Sequence, residues 1–294
     1  MRRALEPARG EAAHPAPRAA TRPRTRRPPA ARPRPGTLRR VPAPFLVVQL
    51  SDPHIGADWD GEDPVAGLRE VVDAVVALPN RPDAVLVSGD LSEHGSADEY
   101  ATVSETVAAI GAPVHVIAGN HDDRATLRAA FALPGEAAGP IQWAADLGPL
   151  RLVGLDTTIP GRDGGALGAE SLRWLDAELG RAPDQPTLLA MHHPPVATGV
   201  APWDAIGLPP VDRAALARIL DDHAQVRRVV SGHLHQTLTA GIAGRTVLVA
   251  PSTYVQGQLN FSAAEIDLAP GWPRGFAIHA LVGREIVSYV RTLS

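Results

Sequence analysis

Residues that can bind metal ions occur in five short segments of this 294-residue chain, each placed directly after an apolar run. Aspartate, asparagine and histidine bind metal ions through oxygen or imidazole nitrogen. Because the carboxyl ends of strands in an open α/β sheet face one crevice, we expect the five segments to meet there. The candidate ligands are Asp52, His54, Asp90, Asn120, His192, His233 and His235.

Two segments carry a pair of candidate ligands separated by one residue. Residues i and i+2 of an extended backbone point to the same side, so Asp52 and His54 are expected to aim at one point. The same holds for His233 and His235. Three segments place a glycine immediately before a ligand, where it permits a tight turn and a close backbone approach. These glycines are Gly89, Gly119 and Gly232.

The number and type of these ligands indicate two metal ions. Seven ligands are too many for one tetrahedral ion with an open position. The chain has no cysteine, which excludes thiolate sites, and oxygen with imidazole suits Mn, Fe, Zn or Co better than Ca. Two ions roughly 3.5–4 Å apart that share a carboxylate are a known arrangement for in-line phosphoryl displacement.

The order and form of the five motifs resemble the calcineurin-like metallophosphoesterase superfamily. The resemblance extends over nearly all of residues 45–294 and depends on the five motifs jointly, since each alone is weak. Within the superfamily, residues 90–95, 119–124 and 192–195 resemble the class III cyclic nucleotide phosphodiesterases. The resemblance implies a four-layer α/β/β/α sandwich.

The resemblance also implies a role for each candidate residue. The implied ligands are Asp52, His54 and His235 for one ion, Asn120, His192 and His233 for the other, and Asp90 as the bridge. His121 matches the family's catalytic histidine, which would stabilise charge on the phosphoryl group or protonate the departing oxygen. The implied reaction is in-line attack by a metal-bridging hydroxide on a phosphodiester, first of all 3′,5′-cyclic AMP, with two divalent or mixed-valence ions (Mn²⁺, Fe²⁺/Fe³⁺, Zn²⁺ or Co²⁺).

Several polar residues lie close to the candidate ligands without belonging to them. We expect His193 to support the ligands or the substrate pocket, whereas His94 either contacts substrate or is an exposed loop residue. Asp122 is equally consistent with orienting His121 and with capping the following helix. The stretch 198–210, rich in proline and glycine, is expected to form part of the pocket wall.

The elements that position these residues alternate along the chain. Apolar runs predict strands at 45–50, 84–88, 114–118, 152–155, 187–191 and 226–230. Amphipathic stretches between them predict helices, two of which start at Asp63-Pro64 and at the capping box of Ser96 and Glu99. Residues 245–250, 276–282 and 285–290 read as strands without further helices. The alternation predicts an α/β fold with sheets at the centre and helices outside.

Charge divides the chain into two parts. Residues 1–44 hold 12 Arg and two acidic residues (+10), with few large apolar side chains, which predicts a disordered tail. Residues 45–294 hold 16 Arg and 30 acidic residues (−14), and they are expected to form one catalytic domain. An acidic body disfavours nucleic acid as a partner, although the Arg-rich tail keeps a nuclease as an alternative.

The sequence also bounds location and leaves some alternatives open. No run approaches the ~20 apolar residues of a membrane span, and no apolar stretch follows Arg2 and Arg3, so we expect a cytoplasmic protein without a signal sequence. A homodimer is compatible with the resemblance. Alternative substrates are a glycerophosphodiester, a lipid-linked phosphate, a 2′,3′-cyclic nucleotide or a phosphomonoester. A non-catalytic interaction module is disfavoured because the seven ligands and His121 are all present.

Overall fold

A computed structural model of the chain describes residues 43–59 and 61–293. The predicted disordered tail, residues 1–44, lies outside this range except for its last two residues. The elements in chain order are β1 (Phe45–Leu50), α1 (Pro64–Val76), β2 (Ala84–Ser88), α2 (Ala97–Ala108), β3 (Val114–Ile117), α3 (Arg124–Phe131), β4 (Trp143–Asp146), β5 (Arg151–Leu155), α4 (Ala169–Gly180), β6 (Thr187–Met191), α5 (Ala201–Ala205), α6 (Pro210–Asp222), β7 (Val226–Ser231), β8 (Leu238–Ile242), β9 (Arg245–Val249), β10 (Gln256–Gly257), β11 (Leu268–Ala269), β12 (Gly275–Val282) and β13 (Glu285–Thr292).

The strands form two mixed sheets. One sheet has the order β13-β12-β1-β2-β3, and β1, β2 and β3 are parallel in it. The other has the order β4-β5-β6-β7-β9-β8, with β5, β6, β7 and β9 parallel. The strands β10 and β11 pair separately. Parallel strands place their carboxyl ends at one edge, which is where the candidate ligands follow.

The two sheets pack face to face between two layers of helices. Leu152, Leu188 and Val230 of the second sheet share a buried cluster with residues of the first sheet, α1 and α2. The next residues along two of these strands, Val153 and Leu189, instead join a second cluster with α4 and α6. This alternation has the period of two expected of a strand buried on both faces. The predicted four-layer α/β/β/α arrangement is therefore confirmed.

Two helix starts predicted from sequence are also confirmed. The Asp63 side chain accepts hydrogen bonds from the backbone N–H groups of Val65 and Ala66 at the start of α1. Ser96 and Glu99 form the reciprocal capping box that begins α2. Each bond satisfies a donor that the first helical turn leaves free. Both caps fix the helices that cover the first sheet.

Five elements were not predicted: β4, β8, α5, β10 and β11. β4 and β8 are short and partly exposed, so their apolar alternation is weak. α5 has only five residues, and β10 and β11 have two each, which is too short for a periodic pattern. Among the described residues, no helix combines the length and apolar character needed to cross a bilayer.

Candidate metal centre

The carboxyl ends of five strands, from both sheets, deliver the seven candidate ligands to one place. The first sheet supplies Asp52 and His54 after β1, Asp90 after β2 and Asn120 after β3. The second sheet supplies His192 after β6, and His233 and His235 after β7. All of them are buried except Asn120, which is half-buried. The side chains that sequence reasoning selected are thus brought together.

The backbone at the ligands is left-handed, and this corrects one sequence expectation. Asp52 and His54 have φ values of 51° and 43°, and His233 and His235 have 73° and 50°. The pairs were expected to converge because of an extended backbone, but a left-handed turn at each ligand produces the convergence. Asp90, with φ of 49°, is similar. Such conformations are costly for residues other than glycine and concentrate at functional sites.

All three glycines that precede ligands are required by close packing, as predicted. A Cβ atom at Gly119 would lie 2.2 Å from both the backbone nitrogen and Oδ1 of Asp90. A Cβ atom at Gly89 would lie 2.2 Å from Nδ1 of His192, and its φ of +98° is itself disfavoured for other residues. A Cβ atom at Gly232 would lie 2.1 Å from Oγ of Ser51 and 2.8 Å from Oδ2 of Asp52. Any larger residue at one of these three positions would displace a candidate ligand or its support.

One group of donors consists of Asp52, His54 and His235. The Nε2 atoms of the two histidines lie 3.0 Å apart. His235 donates its Nδ1 proton to the carbonyl oxygen of Val255, and His54 has its Nδ1 2.8 Å from Glu93 Oε2, so in the neutral rings both Nε2 atoms carry lone pairs. Two facing lone pairs repel each other unless a cation lies between them. Among the described residues, the buried Oδ2 of Asp52 has no hydrogen-bond partner, which also fits a metal ligand.

A second group of donors consists of Asp90, His192 and His233, with Asn120 beside them. Nε2 of His192 lies 3.2 Å from Asp90 Oδ2 and 3.1 Å from Asn120 Oδ1, while its Nδ1 donates to the carbonyl oxygen of Ser88. His233 Nδ1 lies 3.1 Å from the same Asn120 oxygen. Its buried Nε2 has no partner among the described residues. A second cation therefore fits this group.

Asp90 lies between the two groups. Its Oδ2 is 3.5 Å from Nε2 of His54 and 3.2 Å from Nε2 of His192, so one carboxylate oxygen faces both. Burial alone lowers the pKa of His192, but the Asp90 carboxylate outweighs it and raises the pKa to about 9. Burial lowers the pKa of His235 to about 4. The buried Asp90 carboxylate is therefore stabilised by positive charge next to it, and a bound metal ion would supply that charge.

His121 lies beside this centre and is held by two contacts. Its backbone N–H donates to Asp90 Oδ1 at 2.9 Å, and its Nδ1 lies 3.3 Å from Oε2 of Glu93. Its ring meets that of His54 edge-on, with 4.7 Å between centroids. The ring is partly exposed to a cavity above the ligands. Sequence reasoning missed Glu93, although this acid follows Asp90 by three residues in a segment already singled out.

The cavity above the ligands measures about 270 Å³. Its polar floor consists of His54, Asp90, Asn120, His121, His233 and His235. Its walls consist of Trp59, Asp163, Trp203, Ile206, Ile266 and Leu268. Trp203 and Ile206 belong to the stretch 198–210, so this stretch contributes to the cavity wall, as the sequence analysis predicted.

Comparison with known proteins identifies the family. The profile described as "Calcineurin-like phosphoesterase" matches residues 45–237. The chain belongs to this family. The predicted superfamily and the predicted metal-dependent phosphoesterase activity class are thereby confirmed.

Relatives of this calcineurin-like phosphoesterase carry two kinds of name. A "Probable cyclic nucleotide phosphodiesterase" of Rhodococcus erythropolis is 39% identical over 74% of this chain and 74% of its own length. The "3′,5′-cyclic adenosine monophosphate phosphodiesterase CpdA" of Pseudomonas aeruginosa is 35% identical over 78% and 84%. A "Probable glycerophosphodiester phosphodiesterase GpdQ" of Arcobacter nitrofigilis is 34% identical over 77% and 86%.

Solved structures agree with the fold of this phosphoesterase. A dimetal phosphatase from Danio rerio has a TM-score of 0.60 at 16% identity, covering 86% of this chain and all of that one. The purple acid phosphatase PPD1 from yellow lupin has a TM-score of 0.64 at 16% identity, covering 84% and 51%. At such identity the likeness concerns the fold alone.

His193 and His94, which the sequence analysis placed near the ligands of the phosphoesterase, do not line the cavity. His193 is fully buried, its Nδ1 is 2.8 Å from Oγ1 of Thr157 and its Nε2 donates to the carbonyl oxygen of Asp163. Burial lowers its pKa to about 3, so the ring is neutral and packs 4.4 Å from the ring of His233. His94 is exposed and bonded to Glu99. Support of a ligand, not substrate contact, is the role that this geometry favours for His193.

Asp122 takes neither of the two roles expected of it. The residue that caps α3 is Asp123, whose side chain accepts from the N–H of Thr126. The Asp122 carboxylate accepts instead from the backbone N–H groups of Leu91 and Gly119 and from the hydroxyl of Tyr100. It therefore ties the loop that carries Asp90 to the loop that carries Asn120.

Proposed function

We propose that this phosphoesterase hydrolyses 3′,5′-cyclic nucleotides, with cAMP as the first candidate, to nucleoside 5′-monophosphates. The observation that carries the proposal is the pair of donor groups that share the Asp90 carboxylate beneath one cavity. The relatives named for cyclic nucleotides at 35–39% identity support this substrate. A cytoplasmic location and a homodimer stay predictions.

The proposed ligand assignment follows the two donor groups. Asp52, His54 and His235 hold one ion, and Asn120, His192 and His233 hold the other, with Asp90 shared. Two such ions, when bound, neutralise charge on the phosphoryl group and lower the pKa of a bound water enough for attack near neutral pH. Manganese, iron, zinc and cobalt all suit these ligands.

His121 acts on the departing oxygen, and Glu93 positions His121. Nδ1 of His121 is turned toward Glu93, which leaves Nε2 to face the substrate. Cleavage at the 3′ oxygen generates an alkoxide, and a protonated His121 donates a proton to it from Nε2. The Glu93 carboxylate lies 3.3 Å from the other nitrogen, Nδ1, and holds the ring in this orientation.

The charge of the cavity favours a diester over a monoester. Among the described residues that line the cavity, none is an arginine, and Asp163 adds a second carboxylate to that of Asp90. A phosphomonoester carries nearly two negative charges near neutral pH, and sites for such groups commonly use arginine. A phosphodiester carries only one charge, which the two proposed ions can offset without further cations.

A second candidate substrate is a glycerophosphodiester. Relatives named for this activity are 34% and 30% identical over 77% and 85% of this chain. The same metal ligands and His121 would serve this reaction, because both substrates are phosphate diesters with an alkoxide leaving group.

A hydrolysis panel on purified, Mn-loaded protein tests the proposal. It compares cAMP, cGMP, 2′,3′-cyclic AMP, glycerophosphoethanolamine, bis-p-nitrophenyl phosphate and p-nitrophenyl phosphate. We expect kcat/KM to be highest on a 3′,5′-cyclic nucleotide. A higher value on glycerophosphoethanolamine would establish the second candidate, and activity on the monoester alone would overturn both.

A further inference from the structure

We infer that Trp59 and Trp203 form a binding subsite for the planar base of the substrate and determine specificity at this metal centre. This inference rests on the proposed cyclic nucleotide substrate. Both indoles line the cavity whose floor is formed by the proposed ligands. The phosphate must lie at that floor, so the rest of the substrate must lie against the walls.

Trp59 is fixed in place before any substrate binds. Its backbone N–H donates to the hydroxyl of Tyr254 at 2.8 Å, and that hydroxyl donates in turn to the carbonyl oxygen of Glu62 at 3.1 Å. Tyr254 is almost fully buried, and its ring lies 5.3 Å from the indole. The indole also packs against the ring of His54, with 4.5 Å between the centroids. A side chain held in this way loses little entropy when a ligand contacts it.

Trp203 is also held in place, beside His233 and His235. It lies in α5, whose start is held by Asp204, because the Asp204 carboxylate accepts from the backbone N–H of Thr198 and Gly199. Its ring lies 5.8 Å from that of His233 and 6.4 Å from that of His235. Trp59 lies 5.8 Å from the same His235 ring and also neighbours His54, so both indoles flank His235, Trp59 on the His54 side and Trp203 on the His233 side.

The chemistry of the walls favours a flat aromatic group over a polyol. Besides the two indoles, the walls offer Ile206, Ile266 and Leu268, and Asp163 is their one charged member among the described residues. Nucleobases have an aromatic face that stacks on tryptophan whatever the base. A glycerol group has no such face, and its hydroxyls would lose water against apolar side chains without new hydrogen bonds. The subsite thus separates the two candidate substrates.

The test compares cAMP with the same cyclic phosphate lacking its base, 1-deoxyribose 3′,5′-cyclic phosphate. Trp59→Leu and Trp203→Leu are expected to lower kcat/KM on cAMP roughly 10- to 100-fold, mainly through KM, and to leave the abasic substrate nearly unchanged. Trp59→Phe and Trp203→Phe should recover part of the loss. Trp174→Leu, which removes an indole outside the cavity, is the matched control, and metal content is measured for every variant.

A binding measurement keeps the inference separate from the proposed function. Calorimetry on the metal-loaded protein compares AMP with ribose 5-phosphate, and we expect AMP to bind more tightly, with the difference lost in Trp203→Leu. Equal losses on both cyclic substrates, or no preference for AMP, would overturn the base subsite. If the wild-type protein hydrolyses glycerophosphoethanolamine but not cAMP, the proposed function is overturned, whatever the result of the binding experiment with the tryptophan variants.

Discussion

The Glu93 carboxylate lies 3.3 Å from Nδ1 of His121. The same oxygen, Oε2, lies 2.8 Å from Nδ1 of His54. One carboxylate therefore holds both a proposed metal ligand and the proposed acid, in the way that carboxylates behind metal-bound histidines commonly do.

Replacing Glu93 by glutamine should impair turnover more than metal binding. The amide keeps the shape but carries no negative charge, so it attracts the two imidazole Nδ1–H groups less strongly and holds the His121 ring less firmly. We expect kcat to fall roughly 10- to 100-fold with both ions retained. Steady-state kinetics and metal analysis check this, with the exposed Asp98→Asn on α2 as the control. An unchanged kcat would contradict the positioning role.

Replacing His121 by alanine should remove proton donation alone. The hydrogen bond from residue 121 to Asp90 comes from the backbone and survives the substitution. We expect kcat to fall roughly 10²- to 10⁴-fold while both ions stay bound. A p-nitrophenyl diester, whose leaving group needs no proton, should lose much less. Loss of an ion in His121→Ala would show that the residue is a ligand.

Replacing Asp90 by alanine should abolish turnover and reduce metal binding at both positions. Its Oδ2 faces His54 and His192 together, so the substitution removes the shared negative charge. Metal analysis after dialysis should give less than two ions per chain. A chelator should lower the Tm of the wild type more than that of the variant, because ligands that bind the folded state stabilise it. Two firmly bound ions in the variant would rule out the bridge.

Stability at acidic pH should depend on His279, which lies away from the ligands. Burial lowers its pKa to about 3, and its nitrogens face the side chains of Gln49 and Ser288, with Arg228 nearby. The unfolded chain takes up a proton near pH 6.5, whereas the folded protein does so only near pH 3. Stability is therefore lost by about 1.4 kcal/mol per pH unit as pH falls through this window.

His279→Gln should flatten this dependence. Urea unfolding of the metal-loaded protein between pH 6.5 and 5 measures it. Ser288→Ala is the matched control, since it removes one hydrogen bond but keeps the imidazole and therefore the slope. Parallel curves for the wild type and His279→Gln would show that the histidine does not carry the effect.

Ala132→Gly should stabilise the protein. Ala132 ends α3 in a left-handed conformation, with φ of 50° and ψ of 42°, and it is exposed. A left-handed conformation costs an L-residue roughly 1–2 kcal/mol, and glycine is the usual residue at this position. We expect a gain of about 0.5–1 kcal/mol in urea unfolding after the entropy of glycine is subtracted. Ala129→Gly, inside the same helix, should instead cost about 1 kcal/mol.

The sequence predicts the buried strands best. The bounds of β1, β2 and β6 agree with the predicted ones because each strand is a mainly apolar run that a polar ligand follows closely in the sequence. The ligands themselves could be selected because their residue types, the preceding glycines and the strand ends all coincide. Local sequence and function give the same answer at these positions.

The contacts around the ligands could not be predicted in the same way. Asp122 and Asp123 are adjacent and chemically identical, so only the folded backbone shows which one caps α3. The proposed role of Trp203 depends on its contact with the ring of His233, which lies in a different part of the chain. The left-handed backbone conformation at the ligand residues has no sequence signal of its own, because tertiary contacts impose it.

Each proposed ion takes ligands from both sheets, so the ions would connect the two sheets in addition to taking part in the reaction. One joins Asp52 to His235 and the other joins Asn120 to His192, each across a long stretch of chain. Only the folded chain brings these ligands together, so bound ions would stabilise the folded state, in a protein without cysteine. Metal supply would then set the lifetime of the protein against proteases as well as its turnover rate.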